Sequence, residues 1–218
     1  MSQPLLIILV AYFFLNPQSQ TLAQTPQKWL EEAHTLSKNG FLGEATEIWK
    51  KIAKTQTNSK LYIYSHLKLG TNYLKLGQPK KSIDILKLVV NSHPNNFDAY
   101  FQLANSLSAI RKFPDAIKYY KKTTVLKPEE GLGYVGLGLS FFGNNDYKNS
   151  IEALLKANKL FKEKKNISWH RDTRVMVTQI KHFSKFPPNF SDLWLKNNLI
   201  VVRDTYEKVI FDSKLYLR

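Results

Sequence analysis

The chain has 218 residues, 43% of them hydrophobic, and no cysteine, which allows a buried core and excludes disulfides, thiolate metal sites and a cysteine nucleophile. Its 32 Lys and Arg residues outnumber 17 Asp and Glu residues and give a formal net charge of +15, which favours an anionic partner. Lysine supplies most of this charge, whereas bidentate recognition of phosphate and guanine favours arginine, so the composition argues against nucleic-acid binding.

The first 23 residues have the pattern of a signal peptide. An apolar run extends from Leu5 to Leu15, and a polar stretch then ends at Thr21-Leu22-Ala23, where small side chains suit a signal peptidase. The run is shorter than the roughly 20 apolar residues of a membrane-spanning helix. We therefore predict cleavage before Gln24 and export to a periplasm, a lumen or the medium. Because residues 1–4 contain no Lys or Arg, an uncleaved N-terminal membrane tether and a buried N-terminal helix are the alternatives.

Four blocks of the chain, residues 26–59, 63–96, 97–130 and 131–164, share one register of large and small side chains. The eighth position is small in every block: Ala33, Gly70, Ala104 and Gly138. The twentieth position is small as well: Ala45, Ser82, Ala116 and Ser150. The twenty-fourth position is large: Trp49, Leu86, Tyr120 and Leu154. Small residues at two fixed positions let a pair of helices approach closely, and large ones fill the space around that contact.

This register resembles the tetratricopeptide repeat family, whose unit is a 34-residue helix-turn-helix. The resemblance covers residues 26–164 and implies an all-α fold, a right-handed superhelix of about four repeats with a concave and a convex surface. The turn residues Leu76-Gly77 predict the end of a first helix, and Pro79 predicts the start of the following second helix. The first block departs most from the pattern, with Glu32 at a position that is usually leucine.

Residues 165–218 are predicted to cap the repeats at their C-terminal end. A helix is expected from about Ser168 to Phe183, and Pro187-Pro188 then breaks it. A second helix could begin at Ser191-Asp192. The residues after it are rich in β-branched and aromatic side chains and are also compatible with short strands. Both interpretations of residues 191–218 stay open.

The resemblance implies that positions two, five, nine, twelve and thirteen of the first helices form a concave groove. The candidate partner-binding residues there are Tyr64, Leu67, Thr71, Phe101, Asn105, Val135, Leu139 and Phe142. An apolar groove of this kind could receive a polypeptide from a partner. The C-terminal segment of the chain, with Trp194 and Leu195, could fill the same groove, and both occupants stay open. Leu30 and His34 stand where relatives that clamp a C-terminal carboxylate have Lys and Asn, so that clamp is not expected.

The chain has no G-x-S-x-G motif, no phosphate-binding glycine loop and no H-E-x-x-H motif, and its five histidines lack metal-ligand spacing. These absences predict no catalytic activity, no cofactor and no metal, and the resemblance to tetratricopeptide repeat proteins implies a non-catalytic adaptor, scaffold or assembly factor. Many lysines fall on second helices, toward the convex surface: Lys50, Lys51, Lys54, Lys80, Lys81, Lys87, Lys118, Lys121, Lys122, Lys156 and Lys159. The alternative function is therefore that of a structural or peripheral membrane-surface protein, whose convex face makes weak contact with anionic lipid.

Overall fold

The computed structural model describes residues 26–55, 59–183, 186–187, 189–211 and 214–217. Over these residues the regular structure is helical and contains no β-strand, which confirms the predicted all-α repeat fold. The predicted signal peptide and its cleavage point lie outside the described residues. The helices are α1 (Pro26–Lys38), α2 (Leu42–Thr55), α3 (Ser59–Lys75), α4 (Pro79–Ser92), α5 (Phe97–Ala109), α6 (Phe113–Leu126), α7 (Gly131–Gly143), α8 (Tyr147–Glu163), α9 (Ile167–Lys181), α10 (Phe190–Thr205) and α11 (Lys214–Leu217), with a π-helical turn at Tyr206–Ile210 between the last two.

The first eight helices form four hairpins, α1 with α2, α3 with α4, α5 with α6 and α7 with α8, and each hairpin packs on the next. The hairpin turns lie where the sequence predicts them. Gly77 lies two residues after the end of α3 and has a φ of 70°, a left-handed conformation that glycine adopts without steric cost, and α4 begins at Pro79. These short turns hold the two helices of each hairpin side by side.

The small eighth position of a repeat lies against the large twenty-fourth position of the same repeat. A Cβ atom added to Gly70 would lie 2.7 Å from Leu86 Cγ, and one added to Gly138 would lie 2.8 Å from Leu154 Cγ. Both distances are shorter than van der Waals contact. The absence of a side chain at these glycines therefore permits the close approach of α3 to α4 and of α7 to α8.

The second repeat begins earlier than its predicted block. The helix α3 starts at Ser59, four residues before Ile63. Ser59, the last residue of the first block, and residues 60–62, which lie between the two blocks, therefore form an additional turn of this helix. Tyr62 in this turn places its ring 4.0 Å from the ring of His66 and packs against the core. The sequence register does not show this extension, because the repeat pattern has no counterpart for it.

After the fourth repeat, α9 packs on α8 and continues the stack of helices. The chain then turns back, α10 lies against α5 and α7, and α11 lies against α3. The stretch from Leu199 to Val202, which is compatible with a strand in the sequence, is helical: Val202 is fully buried while Val201 is exposed. Residues 190–211 and 214–217 are called the tail below. None of the described helices is long and apolar enough to cross a membrane.

Candidate partner-binding groove

The predicted groove residues lie together on the first helices of repeats two, three and four. They are Tyr64, Leu67 and Thr71 of α3, Phe101 and Asn105 of α5, and Val135, Leu139 and Phe142 of α7. All eight are buried, and the surface that they form is called the groove below. The tail covers this surface, so the structure shows the second of the two occupants considered from the sequence. Direct binding of a partner to these eight residues stays a prediction.

Trp194 anchors the first half of the tail over the fourth repeat. Its ring centroid lies 4.8 Å from that of Phe142, in an edge-to-face arrangement. Its indole Nε1 donates a hydrogen bond of 2.7 Å to Oε1 of Gln179 in α9. The next residue, Leu195, is buried in the same hydrophobic cluster as Leu139. Because a buried indole N–H needs an acceptor, Gln179 completes an anchor that fixes α10 on both the groove and the capping helix.

Tyr206 anchors the second half of the tail over the third repeat. Its ring stacks on Phe101 at a centroid distance of 4.3 Å, and its hydroxyl donates to Oδ1 of Asp98 at 2.5 Å. The hydroxyl of Tyr216 donates to the other oxygen of the same carboxyl, Oδ2, at 2.5 Å. Burial, together with the neighbouring carboxyl, raises the pKa of both tyrosine hydroxyls above their usual range. Both hydroxyls therefore stay protonated at neutral pH and act as donors.

Tyr64 closes the groove at the second repeat. Its hydroxyl forms a hydrogen bond of 2.9 Å with Nε2 of His34, and the ring of Phe211 stacks on the Tyr64 ring at 5.7 Å. Burial, and secondarily the charge of Lys68, lowers the pKa of His34. This imidazole is therefore neutral at neutral pH, and the aromatic contacts link the first repeat to the tail.

Two lysines on the groove side of α3 share one carboxylate of the tail. Glu207 lies 3.6 Å from Nζ of Lys68 and also forms an ion pair with Lys75. Lys68 is only 8% exposed, so burial lowers its pKa, and Glu207 opposes that shift. A buried ammonium group without a counter-ion is costly, so Glu207 gives the tail a specific register along α3.

Lys68 and Glu207 were missed as site residues by the sequence analysis, and Asp98, although its repeat position places it on the concave surface, was not selected among the candidate partner-binding residues. Asp98 occupies position two of its repeat, which faces the groove, and an isolated carboxylate among apolar groove positions was a usable signal. Nothing local in the sequence pairs it with tyrosines 108 and 118 residues later.

A cleft of about 560 Å³ remains open beside the tail. It lies between α10 and the C-terminal ends of α3 and α5. Its wall is mostly apolar and includes Leu74, Ala109, Leu195, Leu199 and Ile200. Its polar lining residues are Asn105, Ser108, Arg111, Asp192, Lys196 and Arg203. The tail therefore leaves a large cavity open on this side of the repeats.

Residues 64–96, which run from α3 through α4 and its following turn, match the tetratricopeptide repeat family. The solved structure of MamA from Desulfovibrio magneticus RS-1 superposes with a TM-score of 0.62 at 18% identity, covering 84% of this chain and 96% of that chain. The superposition shows an all-α repeat fold, in which one repeat matches the tetratricopeptide repeat family.

Two further proteins share these repeats at low identity. The solved structure of YrrB, described as a TPR protein with an unusual peptide-binding site, superposes with a TM-score of 0.55 at 19% identity, covering 63% of this chain and 70% of that chain. Protein CTR9 homolog of Arabidopsis thaliana is 26% identical over 127 residues, which are 58% of this chain and 12% of that relative. The chain thus corresponds to a small part of this relative's length.

The convex surface of the repeats carries lysines that rest on aromatic rings. Nζ of Lys81 lies 5.7 Å from the ring centroid of Tyr73, and Nζ of Lys121 lies 5.7 Å from that of Phe141. Distances below about 6 Å permit a cation–π attraction. These lysines therefore present their charges on a partly aromatic surface instead of extending freely into solvent.

The described residues contain no group of three or more His, Asp or Glu side chains that could hold a metal ion. His66 is buried, and its Nδ1 donates to the carbonyl oxygen of Tyr62 at 2.8 Å. Burial lowers the pKa of this imidazole. His66 thus has a structural hydrogen bond within α3.

Proposed function

We propose that this chain is a non-catalytic interaction scaffold that holds a polypeptide partner on the concave side of its repeats. The observation that carries the proposal is the occupied groove. The groove already accommodates a helical segment of the tail through two aromatic anchors, Trp194 of α10 and Tyr206 of the π-helical turn that follows it. Recognition of an amphipathic helix in an apolar groove is a recurrent mode of peptide binding. The tail thus serves as an example of the polypeptide that this side of the repeats accepts.

The cost of removing the tail decides where a partner makes contact. The tail buries Trp194, Leu195, Val202 and Tyr206 almost completely. Burial of a large apolar side chain stabilises a fold by roughly 1.5–3 kcal/mol, so these four contribute about 6–12 kcal/mol. A partner that replaces the tail must offset that free energy. A partner that binds with the tail in place does not, and the parts of the concave side that the tail leaves open are therefore the favoured contact surface.

A photo-crosslinking amino acid tests this placement. At Ala109, which is exposed at the end of α5 beside the tail, it is expected to capture a discrete protein partner in cells that express the full chain. The matched control is Leu88, which is 49% exposed on the second helix α4. Capture of the same partner equally well from both positions, or from Leu88 alone, would refute binding on the concave side.

Substitution of Phe101 and Leu139 by glutamate would not be a suitable test of partner binding. Both side chains are fully buried beneath the tail. Unpaired buried carboxylates destabilise the fold strongly, so such a variant would lose its structure together with any binding.

The second candidate function acts through the convex surface. The lysines that rest on Tyr73 and Phe141 favour contact with an anionic membrane surface, since each basic residue near such a surface contributes about 1 kcal/mol. Flotation of the chain with vesicles that contain anionic lipid tests this function. Binding at low salt that is lost near about 0.5 M salt would support it, because screening weakens such contacts.

We further propose that the chain works outside the cytoplasm, after removal of its first 23 residues. The apolar run from Leu5 to Leu15 and the small residue Ala23 support export. N-terminal sequencing of the mature protein is expected to begin at Gln24. A mature protein that keeps the apolar run would instead favour the N-terminally tethered alternative.

A further inference from the structure

The cleft beside the tail has a size that selects the shape of its ligand. A helix is about 10–12 Å wide and rises about 5.4 Å per turn, so a volume of about 560 Å³ holds only about one turn. The helix-wide part of the concave side is already filled by α10. The cleft therefore suits a short extended segment with one or two apolar side chains, which would meet Leu74, Leu199 and Ile200.

Asn105 lines the cleft and carries a buried hydrogen-bond donor without a partner among the described residues. Its Oδ1 accepts a hydrogen bond of 2.6 Å from the hydroxyl of Tyr120. Burial raises the pKa of that hydroxyl above its usual range, so it stays protonated and keeps the side-chain amide of Asn105 in one orientation. The other amide atom, Nδ2, is buried and has no hydrogen-bond partner among the described residues. A buried donor left unpaired is unfavourable, and a carbonyl or carboxylate oxygen from a ligand would satisfy it.

The charges around the cleft determine whether it favours an acidic or a basic ligand. Its lining carries three cations, Arg111, Lys196 and Arg203, and one carboxylate, Asp192. Asp192 is paired with Arg111 at 3.0 Å. Lys196 is exposed and forms no ion pair with any described residue. Arg203 is paired with Asp204 at 2.8 Å, so the unpaired positive charge among the described lining residues is that of Lys196, at the edge of a mostly apolar wall.

We propose that the cleft binds a short, extended, acidic segment of a protein partner, with leucine-like side chains on the apolar wall and a backbone carbonyl or carboxylate oxygen on Asn105. This inference deepens the proposed scaffold function and rests on it. It differs from occupation of the groove, because the segment binds with the tail in place and uses α10 as one wall of its site.

Fluorescence anisotropy with the full chain tests the proposal. The probes are fluorescein-labelled, acetylated and amidated pentapeptides in which aspartates alternate with two leucines, and a matched set with lysines in place of the aspartates. The acidic peptides are expected to bind at least about tenfold more tightly than the basic ones. Ala109→Trp, which fills the cleft from an exposed position, is expected to weaken the acidic peptides by about tenfold. Lys196→Glu is expected to weaken them by about threefold to tenfold.

Two control variants make the same changes away from the cleft. Val125→Trp adds the same ring at an exposed position of α6, and Lys87→Glu reverses one charge on α4. Neither is expected to change the affinity by more than about twofold.

Three outcomes would overturn the proposal. They are no binding of the acidic peptides at about 1 mM, binding that Ala109→Trp leaves unchanged, and equal losses from Lys87→Glu and Lys196→Glu. A second copy of the chain as occupant would also overturn it, and would appear as a concentration-dependent dimer that Ala109→Trp abolishes. Photo-crosslinking of a partner at Ala109 with no peptide binding would leave the scaffold function standing and refute this ligand class alone.

Discussion

Replacement of Tyr206 by alanine should show how firmly the tail holds the groove. Tyr206 is 2% exposed, its ring stacks on Phe101 at 4.3 Å, and its hydroxyl donates to Asp98 at 2.5 Å. The substitution removes the ring from the centre of the contact between the tail and the third repeat. It also leaves one oxygen of a buried carboxyl without its donor.

The magnitude follows from these two losses. Truncation of a buried aromatic side chain to alanine costs about 3–5 kcal/mol, and loss of a hydrogen bond to a charged group costs about 1.5–3 kcal/mol. The free energy of unfolding of Tyr206→Ala should therefore fall by about 4 kcal/mol or more, up to the total that docking of the tail contributes. Tyr206→Phe keeps the ring and isolates the hydroxyl, so its free energy of unfolding should fall by about 2 kcal/mol.

Urea denaturation followed by circular dichroism measures the overall loss, and hydrogen exchange locates it. In Tyr206→Ala, the amides of α10 and of the groove helices α5 and α7 should exchange faster, while those of α1 and α2 should change least. The control is Phe41→Ala, because Phe41 is 53% exposed in the turn between α1 and α2 and should contribute no more than about 0.5 kcal/mol to the free energy of unfolding.

A small loss of stability in Tyr206→Ala would refute this prediction. If Tyr206→Ala loses no more stability than Phe41→Ala and α10 keeps its protection, then the tail is not held by this anchor. In that case the cost of tail removal is lower than the burial of its side chains indicates, and direct partner binding to the groove residues becomes the favoured mode.

Two further predictions concern packing and pH. Gly136→Ala should lower the free energy of unfolding by about 1–3 kcal/mol, because the new Cβ would lie 2.2 Å from the buried ring of Tyr120. The control is Gly43→Ala in α2, where a Cβ meets nothing within 4 Å, and it should raise the free energy of unfolding by about 0.5–1 kcal/mol. Equal free energies for the two variants in urea denaturation would contradict this prediction. Burial lowers the pKa of His34 and His66 in the folded chain, whereas in the unfolded chain these imidazoles have the ordinary pKa of about 6.5. The unfolded chain therefore binds more protons, and the free energy of unfolding should fall as the pH drops from 7.5 toward the folded pKa values. The double variant His34→Gln with His66→Gln should flatten this pH dependence between about pH 7 and 5.5, and an unchanged slope would contradict the prediction.

The repeats could be predicted from the sequence because their determinants are local and recur. The contact of Gly70 with Leu86 joins two residues 16 positions apart within one hairpin, and the same spacing recurs at Gly138 and Leu154. The spacing of small and large residues in the sequence is therefore enough to predict which residues pack together within a hairpin. The extension of α3 back to Ser59 escaped the register, since it belongs to one repeat alone.

The position of the tail could not be predicted in the same way. The spacing of Leu195, Leu199 and Val202 shows that α10 has an apolar face, but it does not say which surface covers that face. The deciding contacts join residues far apart in the chain, such as Asp98 and Tyr206. β-branched residues also favour strands in isolation, and here the burial of one helical face outweighs that preference.

The tail and the cleft place charge on the concave side in complementary ways. Glu207 of the tail pairs with both Lys68 and Lys75, so one carboxylate of the tail partly offsets two cations of α3. The tail at the same time adds Lys196 and Arg203 to the lining of the cleft. Docking of the tail thus offsets positive charge beside the second repeat and adds the unpaired charge of Lys196 at the edge of α10. An acidic and apolar partner segment would then meet Lys196 beside the tail, and the salt dependence of its binding should reside in Lys196 and not in Lys68.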